Sequence, residues 1–293
     1  MSDLNREYKS TIFTMLFSDK EKLKSLCEAV SGEKIPSLDD ITINTLKDED
    51  GDRSGIFTKL RNDISFIFQG FLNMYEHQST WTENMPIRMM FYYADLLRRD
   101  HPVKMLYQNP AINLDTPRFV VFYNGDDKPG DFDRKELRLS DHFKRKGENP
   151  DAEIMVMVYN VNKGHNQELM DACESLKEYS EFVSRSKAAL KGKRDQREKV
   201  QAMENVLDKC LEDQILTDFI RAHREVIVMR SIWEYDEQAH FEALREDGYD
   251  EGYQKGKDSV FQILDRLKNG CTVDTLIAEG LDPEIVHKAA QFL

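Results

Sequence analysis

The stretch DISFIFQGFLNMYEHQ, residues 63–78, constrains the fold more than any other part of the chain. Two runs rich in β-branched and aromatic residues are separated only by Gln69-Gly70, which favours two antiparallel strands joined by a tight turn. A two-residue turn also fixes which residues pair across the hairpin. Continued outward from the turn, this pairing predicts that Asp63 lies opposite Glu76.

Three polar side chains of this hairpin are predicted to share one face. Side chains alternate between faces along a strand, so Glu76 and Gln78 point together, and Asp63 joins them from the opposite strand. Two opposed carboxylates destabilise a hairpin unless a cation lies between them, and Mg²⁺ binds carboxylate oxygens while keeping waters for a phosphate substrate. The backbone carbonyl of His77 is placed to add one more oxygen ligand.

Such a group has the parts of a metal-dependent phosphodiesterase. It offers ligands for the ion, a place for an activated water, and a polar side chain, Gln78, to orient that water. The alternative is that Asp63 begins one strand and Glu76 to Gln78 end the other, with all three polar side chains in solvent. Spacing alone is compatible with both interpretations.

The N-terminal part of the chain, 1–165, has the pattern of a mixed α/β domain. Helical spacing of apolar residues is followed by an alternating strand at 41–46, the hairpin, and a helix at 84–100. Two nearly continuous apolar runs, 117–125 and 153–162, are typical of strands that are covered on both faces. The order of these elements predicts a sheet flanked by helices.

From residue 166 to the C-terminus the pattern is almost entirely helical. Residues 166–246 are predicted to form a helical extension packed on the N-terminal core, and its first amphipathic helix covers 166–187. Residues 247–293 begin with a glycine-containing, weakly helical linker and end in a small helical unit. The apolar stripes are compatible with a homo-oligomer formed through these helices, although no heptad repeat is sustained enough to specify one.

Composition narrows the class of protein. No window is long and apolar enough to span a membrane, and the first residues lack the apolar core of a signal peptide, so we expect a cytoplasmic protein without a membrane partner. The four cysteines lie far apart and indicate neither a zinc site nor a disulfide framework. The formal net charge of −13 argues against a stable, non-specific coat on DNA, but it allows an enzyme with a local basic groove.

Five blocks of the sequence resemble a known nuclease family. In chain order they are NDISFIF, YEHQSTWTENMPIRMMFY, TPRFVVFYNG, LRLSDHF and VYNVNKGHN, within a likeness that covers roughly residues 5–240. They are similar to the recombination-promoting nuclease/transposase family of bacteria, which belongs to the PD-(D/E)XK nuclease superfamily. The resemblance implies an α/β (α+β) fold whose restriction-endonuclease-like core, 1–165, is a mixed sheet flanked by helices.

The same resemblance implies a DNA endonuclease that depends on Mg²⁺, with Mn²⁺ able to substitute, and that is linked to recombination or mobile elements. Asp63 and Glu76 would hold the metal and would be catalytic together with Gln78. The glutamine stands where the superfamily pattern has a lysine. Because an amide does not stabilise a developing anion as an ammonium does, lower activity is the expected consequence.

One position departs from the family pattern. Relatives carry an acid after the lysine of the first helix, whereas this chain has Ser10 there, with Glu7 one turn earlier as a candidate substitute. A second hypothesis is therefore a catalytically impaired relative that acts as a DNA- or protein-binding module. A third is an RNA-directed or defence nuclease with the same site.

Several cations are candidates for contacts with DNA. Arg88 could reach a phosphate or form a salt bridge with a core carboxylate. The run FKRKGE contains Lys144, Arg145 and Lys146, and a basic joint covers 187–199. Each of these two basic segments is alternatively a solvated loop or helix face.

Overall fold

The computed structural model describes residues 12–45, 63–126, 131–145, 150–279 and 281–291, and for 237–259, 261, 278 and 284 it describes the backbone alone. The chain forms two compact units, Met1–Tyr235 and Asp236–Leu293. The candidate site belongs to the first unit.

The described residues contain six strands in one sheet. Their bounds are Thr42–Ile43 (β1), Ile64–Phe68 (β2), Phe71–Gln78 (β3), Thr116–Tyr123 (β4), Arg134–Arg138 (β5) and Met155–Asn160 (β6). The spatial order is β1-β2-β3-β4-β6-β5. The pairs β3/β4 and β4/β6 are parallel, and the other three pairs are antiparallel. The predicted mixed α/β architecture with a mixed sheet is thus confirmed.

The hairpin of β2 and β3 has the predicted register. Ile64 pairs with Tyr75 and Phe68 with Phe71, so that one further step outward sets Asp63 opposite Glu76. The turn residues Gln69 and Gly70 both have positive φ, 47° and 77°. Positive φ at both central residues is the turn geometry whose twist matches that of the two strands, which explains why a Gln-Gly pair joins them.

Helices cover both faces of the sheet. One face packs against α1 (Ile12–Phe17), α2 (Lys20–Ser31), α4 (Gln167–Ala172), α5 (Glu174–Leu190), α6 (Gln196–Glu212) and the first part of α7 (Thr217–Lys268). The other face packs against α3 (Met85–Asp100). Along the sheet, Phe66, Tyr75 and Phe122 belong to the first core, whereas Met74 and Val121 belong to the second. This alternation places every second residue of β3 on the α3 face.

Three features differ from the sequence prediction. The segment 166–187 is not one helix, because Cys173 adopts an extended backbone (φ −134°) between α4 and α5 and its side chain is fully buried. The edge strand β5 lies between the apolar runs 117–125 and 153–162, where the sequence pattern predicts no strand, because RKELR has little β propensity and pairs only with β6. The backbone of 247–259, predicted as a weakly helical linker, is helical within α7.

The second unit is small and helical. The end of α7, α8 (Val273–Ala278) and α9 (Pro283–Ala290) pack around a separate core of Ile263, Leu276, Val286 and Ala289. Short 3₁₀ helices occur in the first unit at Leu38–Asp40, Val103–Tyr107 and Leu139–His142. Within the described parts of both units, no helix has the length and apolar character needed to cross a membrane.

Candidate active site

Two carboxylates meet at the open end of the hairpin. Glu76, on β3, is only 4% exposed, and its Oε2 accepts a hydrogen bond from the backbone N–H of Asp63 at 3.1 Å. In return, Oδ2 of Asp63 accepts a hydrogen bond from the backbone N–H of His77 at 2.7 Å. Each acid is therefore held by the backbone of the opposite strand, as the hairpin register predicts.

The surroundings make it costly to ionise both acids. Burial raises the pKa of Asp63 to about 6, although the His77 N–H, Arg88 and Thr14 favour the carboxylate. The pKa of Glu76 is raised well above its usual range, first by burial and then by the negative charge of Asp63. A cation close to both carboxyl groups would remove that penalty.

The guanidinium of Arg88, on α3, contacts the side chains of Glu76 and Gln78. Its Nη2 lies 2.6 Å from Oε1 of Glu76, and its Nη1 donates to Oε1 of Gln78 at 2.9 Å. The hydroxyl of Tyr92, one helical turn further on, accepts from Nη2 at 2.9 Å and lies 3.4 Å from Oε1 of Glu76. Of the two roles predicted for Arg88, the structure shows the salt bridge with a core carboxylate.

His77 turns its side chain to the opposite face of the sheet, as expected between Glu76 and Gln78. The imidazole stacks on Phe13 with 5.3 Å between ring centroids, and its Nε2 lies 3.0 Å from the hydroxyl of Tyr179. The N–H and C=O of an extended residue point to the same edge of its strand. Because the His77 N–H binds Asp63, its carbonyl oxygen faces the same edge as the two acids.

Burial lowers the pKa of His77 to about 3, with the nearby charge of Lys187 acting in the same direction. The folded protein therefore keeps this imidazole neutral at a pH where the unfolded chain protonates it. Stability is expected to fall as pH decreases from about 6.5 to about 3.

His77→Gln removes this titration while keeping a hydrogen-bonding group near Tyr179. We expect its free energy of unfolding to fall less than that of the wild type over this pH range, as measured by urea denaturation at a series of pH values. Asp63 contributes a slope of opposite sign in both proteins, so the difference between them isolates His77. Equal slopes would contradict the expectation.

Two contributors to the site are not evident in the sequence. The Thr14 side chain, on α1, hydrogen-bonds to the Asp63 carboxyl group, and Tyr92 joins Arg88 beside Glu76. The only signal for Tyr92 is its i,i+4 spacing from Arg88 on one helix face. Ser10, where the chain departs from the family pattern, and Glu7, its candidate substitute, lie outside the described residues.

The other predicted DNA-binding cations belong to the two basic segments. Lys144 and Arg145 are exposed after the 3₁₀ helix Leu139–His142, and Lys146 lies outside the described residues. In the basic joint, Lys187 Nζ binds the backbone carbonyl of Asn124 and pairs with Asp126 at 3.0 Å. Among the predicted DNA-binding cations, Arg88 contacts the acids directly, through Glu76.

Among the residues that the structure describes, no group of three or more His, Cys, Asp and Glu side chains is placed to hold a metal ion. The donors that do converge are oxygens: the carboxylates of Asp63 and Glu76 and the carbonyl of His77. Oxygen ligands of this kind suit a hard divalent cation such as Mg²⁺, which retains several waters when it binds to one or two carboxylates. The donor chemistry therefore fits that class of ion.

Comparison with known proteins assigns the chain to no family. No protein-family model matches the chain, and no match is found among curated proteins. The likeness to the recombination-promoting nucleases accordingly stays a prediction from the five sequence blocks.

Proposed function

We propose that the chain is a Mg²⁺-dependent endonuclease that hydrolyses phosphodiester bonds in DNA. One observation carries the proposal: Asp63 and Glu76 are held side by side in a buried hairpin end where both pKa values are raised. Like charges in such a position cost stability, so this arrangement favours a catalytic role over a structural one. The five sequence blocks support DNA as the substrate and recombination or mobile elements as the biological context.

The metal would be held by the carboxylates of Asp63 and Glu76 and by the carbonyl of His77. Mg²⁺, or Mn²⁺ in its place, supplies charge stabilisation and an activated water when it is bound to such a site. The protein supplies rigidity, because both acids are hydrogen-bonded to backbone N–H groups of the hairpin.

Gln78 and Arg88 would orient the reactants. Oε1 of Gln78 accepts a hydrogen bond from Arg88, which leaves the Nε2 amino group to donate to an attacking water or a phosphate oxygen. Arg88 forms a salt bridge with Glu76 in the structure, and its planar guanidinium would also be suited to a phosphate. An uncharged glutamine at position 78 implies a slow enzyme.

The test is nicking of supercoiled plasmid DNA by the purified full chain with Mg²⁺, with Mn²⁺ and with EDTA. We expect open-circular and linear DNA with either metal and neither product with EDTA. Absence of cleavage at every metal concentration would overturn the proposal. Binding of metal or DNA without cleavage would instead favour the alternative of a catalytically impaired binding module.

A further inference from the structure

A lysine is held over an indole ring beside the candidate site. Trp81 lies three residues after Gln78, in the loop between β3 and α3, and Nζ of Lys135 on β5 is 4.9 Å from the centre of its ring. Trp81 is fixed from two other sides by Tyr123 and Phe132, each with 5.5 Å between ring centroids. Both Trp81 and Lys135 are half-buried, so the ammonium has a defined position and access to solvent.

Lys135 and Glu76 project from the same face of the sheet and lie in the same row. Leu137, two residues from Lys135, belongs to the core under α3, as do Leu72 and Met74 on the strand of Glu76. Across the sheet, the pairing runs from Glu76 to Val121, then to Val158, and then to Lys135. With neighbouring strands about 4.8 Å apart, Lys135 is about 14 Å from Glu76 along this row.

The ammonium of Lys135 has no carboxylate partner within ion-pair distance in the described part of the chain, whereas Arg138 and Arg88 each have one. Arg138, on the same strand, pairs with Glu136 at 2.6 Å, and Arg88 pairs with Glu76. An aromatic ring attracts a cation without neutralising its charge. In a chain with a net charge of −13, a positioned and un-neutralised ammonium on the face of the site is suited to an anion.

We propose that Lys135, positioned by Trp81, binds a backbone phosphate of the DNA strand that is cut at Asp63 and Glu76. The inference rests on the proposed function for the identity of its ligand. One strand of B-DNA carries a phosphate about every 3.4 Å of helix axis, so about 14 Å measured along that axis corresponds to about four phosphates. Lys135 would therefore fix the register of the substrate at a short distance from the reacting bond, and Trp81 is a positioning residue that acts through it.

The first test measures binding of a short labelled DNA duplex in EDTA, where cleavage does not interfere. Lys135→Met keeps most of the side chain but removes one phosphate contact, so the slope of log Kobs against log salt concentration should become shallower by about 0.9. Lys104→Met is the matched control, because Lys104 is an exposed lysine in the 3₁₀ helix after α3. An unchanged slope in Lys135→Met, or the same change in both variants, would overturn the inference.

The second test uses the indole as a reporter. The chain has two tryptophans, so Trp233→Phe, a change at an exposed position of α7, leaves Trp81 as the only one. Adding the duplex should change Trp81 emission as a phosphate draws the ammonium from the ring, and Lys135→Met in this background should abolish the change. Emission that does not respond to DNA, or responds equally without Lys135, would contradict the inference.

The two proposals fail separately. If the wild type binds DNA with the Lys135-dependent salt slope but does not nick plasmid, the phosphate contact stands and the nuclease proposal fails. If the wild type nicks plasmid and Lys135→Met matches Lys104→Met in slope and emission, the nuclease proposal stands and the contact fails. Trp81→Phe should retain more of the salt slope than Trp81→Leu, since only phenylalanine keeps a ring under the ammonium.

Discussion

Asp63→Asn should lower metal-dependent plasmid nicking by at least about 100-fold while the protein stays folded. Even groups that only support metal ligands contribute about 10- to 100-fold to activity, and Asp63 is proposed as a ligand itself. The amide keeps the size of the side chain and an oxygen that can accept from the His77 N–H, so the hairpin end retains its hydrogen bond. Loss of activity with a retained fold is the result that a catalytic acid predicts.

The pH dependence of stability gives a second measurement on the same variant. The pKa of Asp63 is raised to about 6, so in the metal-free wild type its contribution to stability declines as pH rises from about 4 to about 6. Asp63→Asn lacks this decline. In urea denaturation with EDTA, Asp63→Asn should therefore lose less stability than the wild type as pH rises from about 4 to about 6.

Asp151→Asn is the matched control, since Asp151 is an exposed aspartate in the segment before β6. It should nick plasmid at the wild-type rate and follow the wild-type pH dependence. Nicking by Asp63→Asn at the rate of this control would show that the cleavage comes from another site or from a contaminating nuclease.

Arg88→Met should destabilise the metal-free protein by about 3–5 kcal/mol. The change removes the cation from beside Glu76, which is almost fully buried, so the carboxyl group must either stay charged without a partner or take up a proton. Methionine keeps an apolar side chain of similar length at this position of α3, so the loss reports mainly on charge. The measurement is urea denaturation at pH 7 in EDTA.

The effect of Mg²⁺ on protein stability distinguishes a metal site from an ordinary buried salt bridge. A cation that binds only the folded state stabilises it, and in Arg88→Met it would also replace the missing positive charge. Mg²⁺ should therefore raise the stability of Arg88→Met more than that of the wild type. An equal effect on both proteins would contradict a metal site at Glu76.

Two variants complete this design. Arg98→Met removes an exposed arginine that forms an i,i+3 pair with Asp95 on the same helix, and it should change stability by no more than about 0.5 kcal/mol. The double variant Glu76→Gln, Arg88→Met leaves no unpaired charge and should be more stable than Arg88→Met alone.

The parts of the site that depend on short-range rules were predictable from sequence. A two-residue turn and the alternation of side chains are enough to set Asp63 against Glu76 and to turn His77 away from both. The positive φ of Gln69 and Gly70 and the register of the hairpin confirm this.

The remaining contacts depend on how separate elements pack. Whether Arg88 meets a carboxylate or a phosphate is decided by the path of α3 across the sheet, and the Thr14 contact is decided by the position of α1. The row that joins Glu76 to Lys135 spans four strands, and its last strand has little β propensity. No local pattern encodes such distances, because they arise only when the sheet is assembled.

The two-residue turn also limits how the site can change by insertion or deletion. The two acids are separated by twelve residues of hairpin that contain Gln69-Gly70 and no other connection. One residue inserted into either strand without a compensating bulge would shift the pairing by one position and turn an acid to the opposite face of the sheet. A single insertion or deletion in this segment is therefore expected to separate the two acids, so Asp63 and Glu76 stay paired only while the length of the hairpin is unchanged.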